Sequence, residues 1–275
     1  MTVRIIVTTL KYLSLVLAGF VTLLPLGAVL IASLKSTKEY ATTGPFDFPS
    51  NIFNIDNFVT AVVKGDMLQG LANTAFILVV SLAGTIIIGT MTAYAIDRFT
   101  FQFKNVVLSL FLIAALVPSV TTQVATFQIV NNLGLFDTVW APIALFLGTD
   151  IISIYIFIQF MQGIPQSLDE AAMLDGANRF TIYWRIIMPL LKPAIATVII
   201  IRGIAIYNEF YIPFLYMPSR ELGTISTSLF RFKGPFGAQW EVIAAGTMVV
   251  IIPTLILFLF LQKYIYNGFT SGAIK

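Results

Sequence analysis

Cysteine and histidine are both absent from the 275 residues, and only 11% of them carry charge. Without cysteine there is no disulfide, no thiolate nucleophile and no thiolate metal site. Without histidine there is no Ser-His-Asp triad, no imidazole proton relay near neutral pH and no imidazole ligand for a metal. The dipeptide Gly-Lys occurs nowhere, so no Walker A loop can cradle a nucleotide's phosphates. Net charge is only +3 and no Lys/Arg cluster is present to neutralise a phosphate backbone, which excludes nucleic acid as a partner. The remaining inventory suits a conduit better than an enzyme, and any nucleotide-driven energy must come from a partner.

Apolar residues make up 58% of the chain and the mean hydropathy is +0.91. Soluble domains carry roughly 25% charged residues, so this composition belongs to the membrane class. Six apolar runs are long enough for the roughly 20 residues that cross a hydrocarbon core. They are Tyr12–Leu34, Met67–Ile96, Asn105–Ala125, Trp140–Met161, Ala194–Met217 and Val242–Gln262. Pro118 interrupts the third and predicts a kink there. The first run exceeds the apolar stretch of a cleaved signal peptide and reads as a retained span.

Between the first two spans, Ile55, Phe58, Val59 and Val62 recur at helical spacing. They predict a short amphipathic helix at the membrane surface or on the protein, with an ordered turn as the alternative. Six spans place both termini on one side. With that side cytoplasmic, nine Lys/Arg fall inside and six outside, in the sense of the positive-inside rule. The resulting layout is a terminal segment, first span and outer segment over 1–66, a core of five spans over 67–265, and a cytoplasmic tail over 266–275.

The stretch Ser167–Pro193 lies between the fourth and fifth spans and holds Asp169, Glu170, Asp175, Arg179, Arg185 and Lys192. Ser167 with Glu170 three residues on has the form of a capping box, and Asp169 and Glu170 suit the positive end of a helix. Gly176 then predicts a left-handed cap that ends a short helix. Leu168, Ala171 and Ala172 are expected to form one shallow face that another protein's groove can approach. Phe180, Tyr183, Trp184 and Ile187 follow at helical spacing, and Pro189 and Pro193 are expected to break the helix before the fifth span. Together these describe a docking helix attached to a lever. An ordinary loop carrying a capped helix fits the same residues equally well.

Three charges fall within the apolar runs, Asp150 in the fourth and Arg202 and Glu209 in the fifth. Charges at such depth face a bundle interior or a wet cavity. Arg202 and Glu209 are seven apart, which in one helix puts them on a shared face. Asn208, Glu209 and Arg202 therefore either line a translocation path or serve as structural pairs between helices.

Glu170-Ala171-Ala172, Gly176, Ile186 and Pro189 together resemble the EAA motif of the permease subunits of binding-protein-dependent ABC importers. The family's pattern EAA-x3-G-x9-I-x-L-P is met over 20 residues, except that Met188 stands where the family has Leu. Thr92-Ala-Tyr-Ala95 with Arg98-Phe99, Asn208-Glu209-Phe210 and the tail Gly268–Lys275 extend the likeness over essentially the whole chain, nearest to the MalG-like carbohydrate permeases.

The resemblance implies an all-α integral membrane protein of the MetI-like, type I ABC transmembrane fold. Six transmembrane helices carry a cytoplasmic coupling helix between spans four and five. It implies that Glu170, Ala171, Ala172, Gly176, Ile186 and Pro189 couple the chain to an ATPase, and that Gly272, Ala273, Ile274 and Lys275 contact that ATPase too. The implied partners are a second permease subunit in a heterodimer, two copies of a cytoplasmic ABC ATPase, an extracytoplasmic solute-binding protein and the lipid bilayer of a prokaryotic plasma membrane. The chain itself would bind no cofactor and no metal; ATP and Mg would be used by the ATPases. The implied cargo is a di- or oligosaccharide, with glycerol-phosphate as an alternative. A self-sufficient secondary transporter is disfavoured because no internal repeat is evident.

Overall fold

The computed structural model describes residues 2–148, 150–234 and 237–273, excepting the side chains of residues 2, 3, 5, 119, 148 and 257 and of those beyond Leu259. The described residues are almost wholly helical. In chain order the helices are α1 (Thr2–Leu34), α2 (Thr37–Thr42), α3 (Asp56–Lys64), α4 (Met67–Arg98), α5 (Lys104–Leu116), α6 (Ser119–Asn132), α7 (Trp140–Gly148) and α8 (Ile151–Gln162). They continue as α9 (Ser167–Leu174), α10 (Arg179–Ile182), a π-helical turn over Tyr183–Ile187, α11 (Met188–Leu190), α12 (Lys192–Asn208), α13 (Tyr211–Tyr216), α14 (Ile225–Ser228) and α15 (Trp240–Ala273). A two-residue hairpin, Lys233–Gly234 paired with Gly237–Ala238, is the one piece of sheet among the described residues.

Six apolar passages are present, but only some are single helices. α1 over Ile6–Leu34 and α4 over Met67–Arg98 are each long and apolar enough to cross a bilayer unbroken. The third passage does more than kink: α5 and α6 meet at 103°. Pro118 lacks a donor N–H and pushes its predecessor out of the helical region, and Val117 is extended with ψ 117°. The fourth passage bends by 44° between α7 and α8. There Asp150 caps α8, its carboxylate accepting from the Ser153 amide at 3.3 Å and from the Ser153 hydroxyl. The fifth ends earlier than the apolar run: α12 stops at Asn208, Glu209 is extended, and α13 follows after the break. α15 supplies the sixth, with its described apolar stretch over Trp240–Ile256.

The chain divides into two compact units, one comprising Met1–Leu68 with Thr227–Leu255 and the other Gln69–Ser226 with Ile256–Lys275. In the first unit, Asn57 Nδ2 donates to the carbonyls of Ser33 and Lys35 at 2.9 and 2.7 Å, satisfying acceptors that the end of α1 leaves open. The predicted amphipathic helix is α3, but its face is rotated from the expected one. Asn57 and Ala61 are buried, whereas Ile55 and Val59 stay exposed, because the polar Asn57 side chain is what the end of α1 requires.

In the second unit, α4, α8, the π turn and α12 close around Phe157, Met161, Ile182, Ile187, Leu191 and Ala194, all fully buried. A second cluster joins α4, α7 and α12 through Ile77, Leu82, Ile143, Phe146 and Ile206. The segment after α13 is tied to the start of α4. Asn73 Nδ2 donates to the carbonyls of Glu221 and Gly223, and the Ile225 amide donates to Thr74 Oγ1 at 2.9 Å.

Candidate functional site

α9 begins one residue before the sequence pattern placed it. Gln166 occupies the N-cap position with helical backbone angles and no side-chain cap, so Ser167 is already inside the helix and its hydroxyl cannot act as a capping box. The start is held instead by backbone bonds, the amides of Asp169 and Glu170 donating to the Gln166 carbonyl at 2.9 and 3.1 Å. The end is as expected. Gly176 has φ +82°, its amide donates to the Met173 carbonyl at 3.0 Å, and the Ala177 amide donates to Ala172 at 2.9 Å. That pair of bonds is a Schellman cap.

The faces of α9 differ from the expected shallow patch. Asp169 and Ala172 turn inward and are buried, so Ala172 packs against its own chain rather than lying beside Ala171 in the open. Glu170, Ala171, Leu174 and Gly176 face outward, with Leu174 91% exposed. Leu168 and Met173 flank them at 42% and 37%. The outward surface is therefore mainly apolar, with Glu170 near its start and Asp175 at its end as exposed acidic side chains.

Behind α9 sits a buried charge cluster that the sequence pattern did not signal. Arg98, the last residue of α4, places Nε 3.1 Å from Asp169 Oδ2, Nη1 2.5 Å from Asp97 Oδ2 and Nη2 2.8 Å from the Ile164 carbonyl. The side chains of Arg98 and Asp169 are each 3% exposed. In the sequence Arg98 stands out only as part of the Arg98-Phe99 pair of the family likeness, with no partner indicated. Its partner lies 71 residues away, and no local spacing could expose that link.

The lever begins where Asn178 caps α10, its Oδ1 accepting from the Thr181 amide at 2.8 Å. Tyr183 and Ile187 point inward but Phe180 and Trp184 outward, so the four do not share the single face that their helical spacing predicts; the π turn over Tyr183–Ile187 breaks the α-helical register there. Tyr183 Oη is 2.7 Å from Thr90 Oγ1 of α4, and its ring packs on Tyr94 at 5.5 Å. The Arg179 guanidinium lies over the Phe99 ring at 5.4 Å. Ile186 is partly buried against the same core, and Pro189 is exposed. The lever then meets α12 at 69°, at Leu191.

The intramembrane charges resolve differently from one another. Arg202 pairs with Asp150, Nε to Oδ2 3.3 Å, and Arg202 Nη2 donates to the Phe146 carbonyl at 3.0 Å. Arg202 and Glu209 do not share a helix face, because α12 ends before Glu209. The Glu209 carboxylate instead accepts from the Tyr211 and Ile212 amides at 2.8 and 3.2 Å and starts α13. Asn208 is exposed at the end of α12. In the tail, Gly272 and Ala273 lie in the last turn of α15, while Ile274 and Lys275 lie outside the described residues. Among the described residues no group of three or more acidic side chains gathers as a metal ion would need.

An ion pair thus ties α9 to the end of α4, and the segment after it runs on into α12. The sequence profile of the binding-protein-dependent transport system inner membrane components matches residues 85–271, which contain α9, its Arg98 clamp and the lever. This chain belongs to that family. The permease is 28% identical over 255 residues to the arabinooligosaccharides transport system permease protein AraQ of Bacillus subtilis, covering 92% of this chain and 90% of AraQ. It is 29% identical over 256 residues to that organism's melibiose/raffinose/stachyose import permease protein MelC, covering 92% and 91%. The galactooligosaccharides transport system permease protein GanQ, also of B. subtilis, is 32% identical over 210 residues, or 76% of this chain and 74% of GanQ. In fold the permease matches a chain from the crystal structure of a bacterial ABC transporter that imports the acidic polysaccharide alginate. The TM-score is 0.77 at 22% identity, over 94% of this chain and 96% of that one.

Proposed function

We propose that the permease forms, with a second permease subunit, the membrane channel of an ATP-driven importer for a di- or oligosaccharide. The observation that carries this reading is the two-sidedness of α9. Its inner face is fixed to the chain by Asp169 and Ala172, while Ala171, Leu174 and Glu170 stand free in the other direction. An apolar outward face on an eight-residue helix, rigidly backed, is what a cytoplasmic ATPase could grip.

In this reading α9 sits in a cleft of one of two ATPase copies. ATP and Mg bind there and not on this chain. Closure of the ATPases pushes α9 through Glu170, Ala171 and Gly176. The Arg98–Asp169 pair passes the displacement to α4, and the lever with Ile186, Pro189 and Leu191 passes it to α12. The two spans move as a block because Tyr183 joins them through Thr90. The cavity then opens outward to a solute-binding protein, which releases its sugar. Asn208, exposed at the end of α12, lines the path; Arg202 and Glu209 shape it by holding α7, α8 and α13 in place. The termini are cytoplasmic, in line with the nine-to-six excess of basic residues, and Gly272–Lys275 touch the ATPases. The carbohydrate class follows from the names of AraQ, MelC and GanQ.

Uptake by the complex reconstituted in liposomes tests this reading. Transport should require the ATPase, the second permease and the binding protein together. The mass of the solute retained by the purified binding protein should be that of a short saccharide. Uptake by the permease alone, or a non-carbohydrate solute on the binding protein, would refute it.

A further inference from the structure

Lys35 is 2% exposed although it lies just past the end of α1, where the chain leaves its first apolar passage. Its ammonium donates to Thr43 Oγ1 at 2.8 Å and to the Gly44 carbonyl at 2.6 Å. Both acceptors are neutral, and one of its three N–H donors remains uncommitted. Among the described residues no carboxylate pairs with it: the neighbouring Glu39 is occupied by Ser36 and Ser50, and Glu241 by Thr37. A buried ammonium without an anion is a costly arrangement.

Lys35 lines a cavity of about 410 Å³. One end of that cavity lies along the spans and is built from Ala28 and Ala32 of α1 and Ile243 of α15. The other end, at the level where α1 stops and α15 starts, presents Lys35 with the rings of Tyr40 and Trp240. The aromatic pair is partly exposed, Tyr40 at 37% and Trp240 at 51%. A cation flanked by Tyr and Trp at a membrane boundary, above an apolar slot walled by small side chains, has the gradient of a lipid molecule.

We propose that this cavity binds an anionic membrane phospholipid. The lipid phosphate accepts the third Lys35 donor and supplies the missing counter-charge. An acyl chain lies along Ala28 and Ala32, and the two rings rest at headgroup level. The lipid would thereby bridge α1 and α15, which line the cavity within the first unit. This inference depends on the multi-pass character of the chain and not on what the channel carries.

The test uses native mass spectrometry of the full permease, delipidated in detergent within its complex and then offered phosphatidylglycerol, phosphatidylcholine or inorganic phosphate. Wild type should retain one phosphatidylglycerol, with about tenfold preference over phosphatidylcholine, whose quaternary ammonium cancels the phosphate charge, the counter-charge that Lys35 lacks. Lys35→Arg should keep that preference and Lys35→Met should erase it. Ala28→Phe, which fills the apolar end without touching the Lys35 bonds, should lose the lipid while the complex stays assembled. Equal phosphatidylglycerol retention in wild type, Lys35→Met and Ala28→Phe would overturn the proposal. So would displacement of the lipid by millimolar inorganic phosphate, which would make the site one for a free anion.

Discussion

Arg98 and Asp169 join the end of α4 to the start of α9 through a contact of 3.1 Å, with each side chain only 3% exposed. A surface pair would contribute little. Here both charges are withdrawn from water, and Arg98 also binds Asp97 and the Ile164 carbonyl. Removing one member strands the others in a buried setting. The contact is therefore less a source of stability than a rigid joint, and its loss would be felt as slack between α9 and α4.

Truncating Arg98 should accordingly be worse than neutralising Asp169. Arg98→Met leaves two carboxylates near each other without a cation and should cost about 3–5 kcal/mol, the range for breaking a buried pair. Asp169→Asn keeps the shape and one acceptor and should cost less. The double change Arg98→Met with Asp169→Leu should recover much of the stability but not the uptake rate. Thermal unfolding of the purified complex, measured beside transport, checks both halves.

Gly176 permits the left-handed turn that closes α9. A Cβ there would meet nothing within 4 Å, so space is not the constraint; the φ of +82° is. Gly176→Ala should cost about 1–2 kcal/mol and fray the last turn beneath Leu174. Gly176→Asn, which tolerates this conformation, should be milder. ATP hydrolysis that persists in the Ala variant while uptake falls is the expected signature, read from the two rates in the same liposomes.

The Asp150–Arg202 pair should behave as a brace between the two halves of the bent fourth passage and α12. Asp150→Asn retains an N-cap for α8 but gives up the ion pair, whereas Asp150→Ala loses both. Stability should fall in the order wild type, Asn, Ala, with the cap alone accounting for about 1 kcal/mol. The apparent KM for the sugar should stay unchanged in the Asn variant. A raised KM without loss of stability would place Asp150 in the path instead.

Glu39 gives a pH prediction outside the spans. Hydrogen bonds from the Ser50 hydroxyl, the Ser36 and Ser50 amides and the Ser36 hydroxyl hold its carboxyl at about 2, below its ordinary 4.5. The folded value is the lower one, so the ionised form is favoured by folding. Its contribution is complete above pH 4.5 and is lost as the pH falls toward about 2. Wild type and Glu39→Gln should therefore differ in melting temperature by a constant amount from pH 8 to 5, and the difference should shrink only in acid.

How much of this was legible in the sequence varied with the range of the forces involved. α1 and α4 follow directly from uninterrupted apolar runs. The Schellman cap at Gly176 is equally local and was readable, whereas the parting of Tyr183 and Ile187 from Phe180 and Trp184 was not, because a π turn replaces the α-helical spacing there. The breaks at Asp150 and Glu209 were not, because both residues looked like isolated charges in apolar runs; each turned out to start a helix with its carboxylate. Ser167 misled for a related reason: Ser-x-x-Glu is a local signal, but Asp169 must reach Arg98, and the helix starts early enough to aim it there. The sequence separations of Arg98 from Asp169 and of Thr90 from Tyr183, 71 and 93 residues, explain why the joint and the lever's anchor had no signature.

The grip of a cytoplasmic ATPase on the outward face of α9, as we propose it, is tested most directly by cross-linking from Ala171→Cys in the otherwise cysteine-free chain, within the assembled complex. A short bifunctional thiol reagent should link position 171 to the ATPase subunit, and ATP binding should change the yield. Labelling of that thiol only by an impermeant reagent added from the outer side, with no link to the ATPase, would contradict the account.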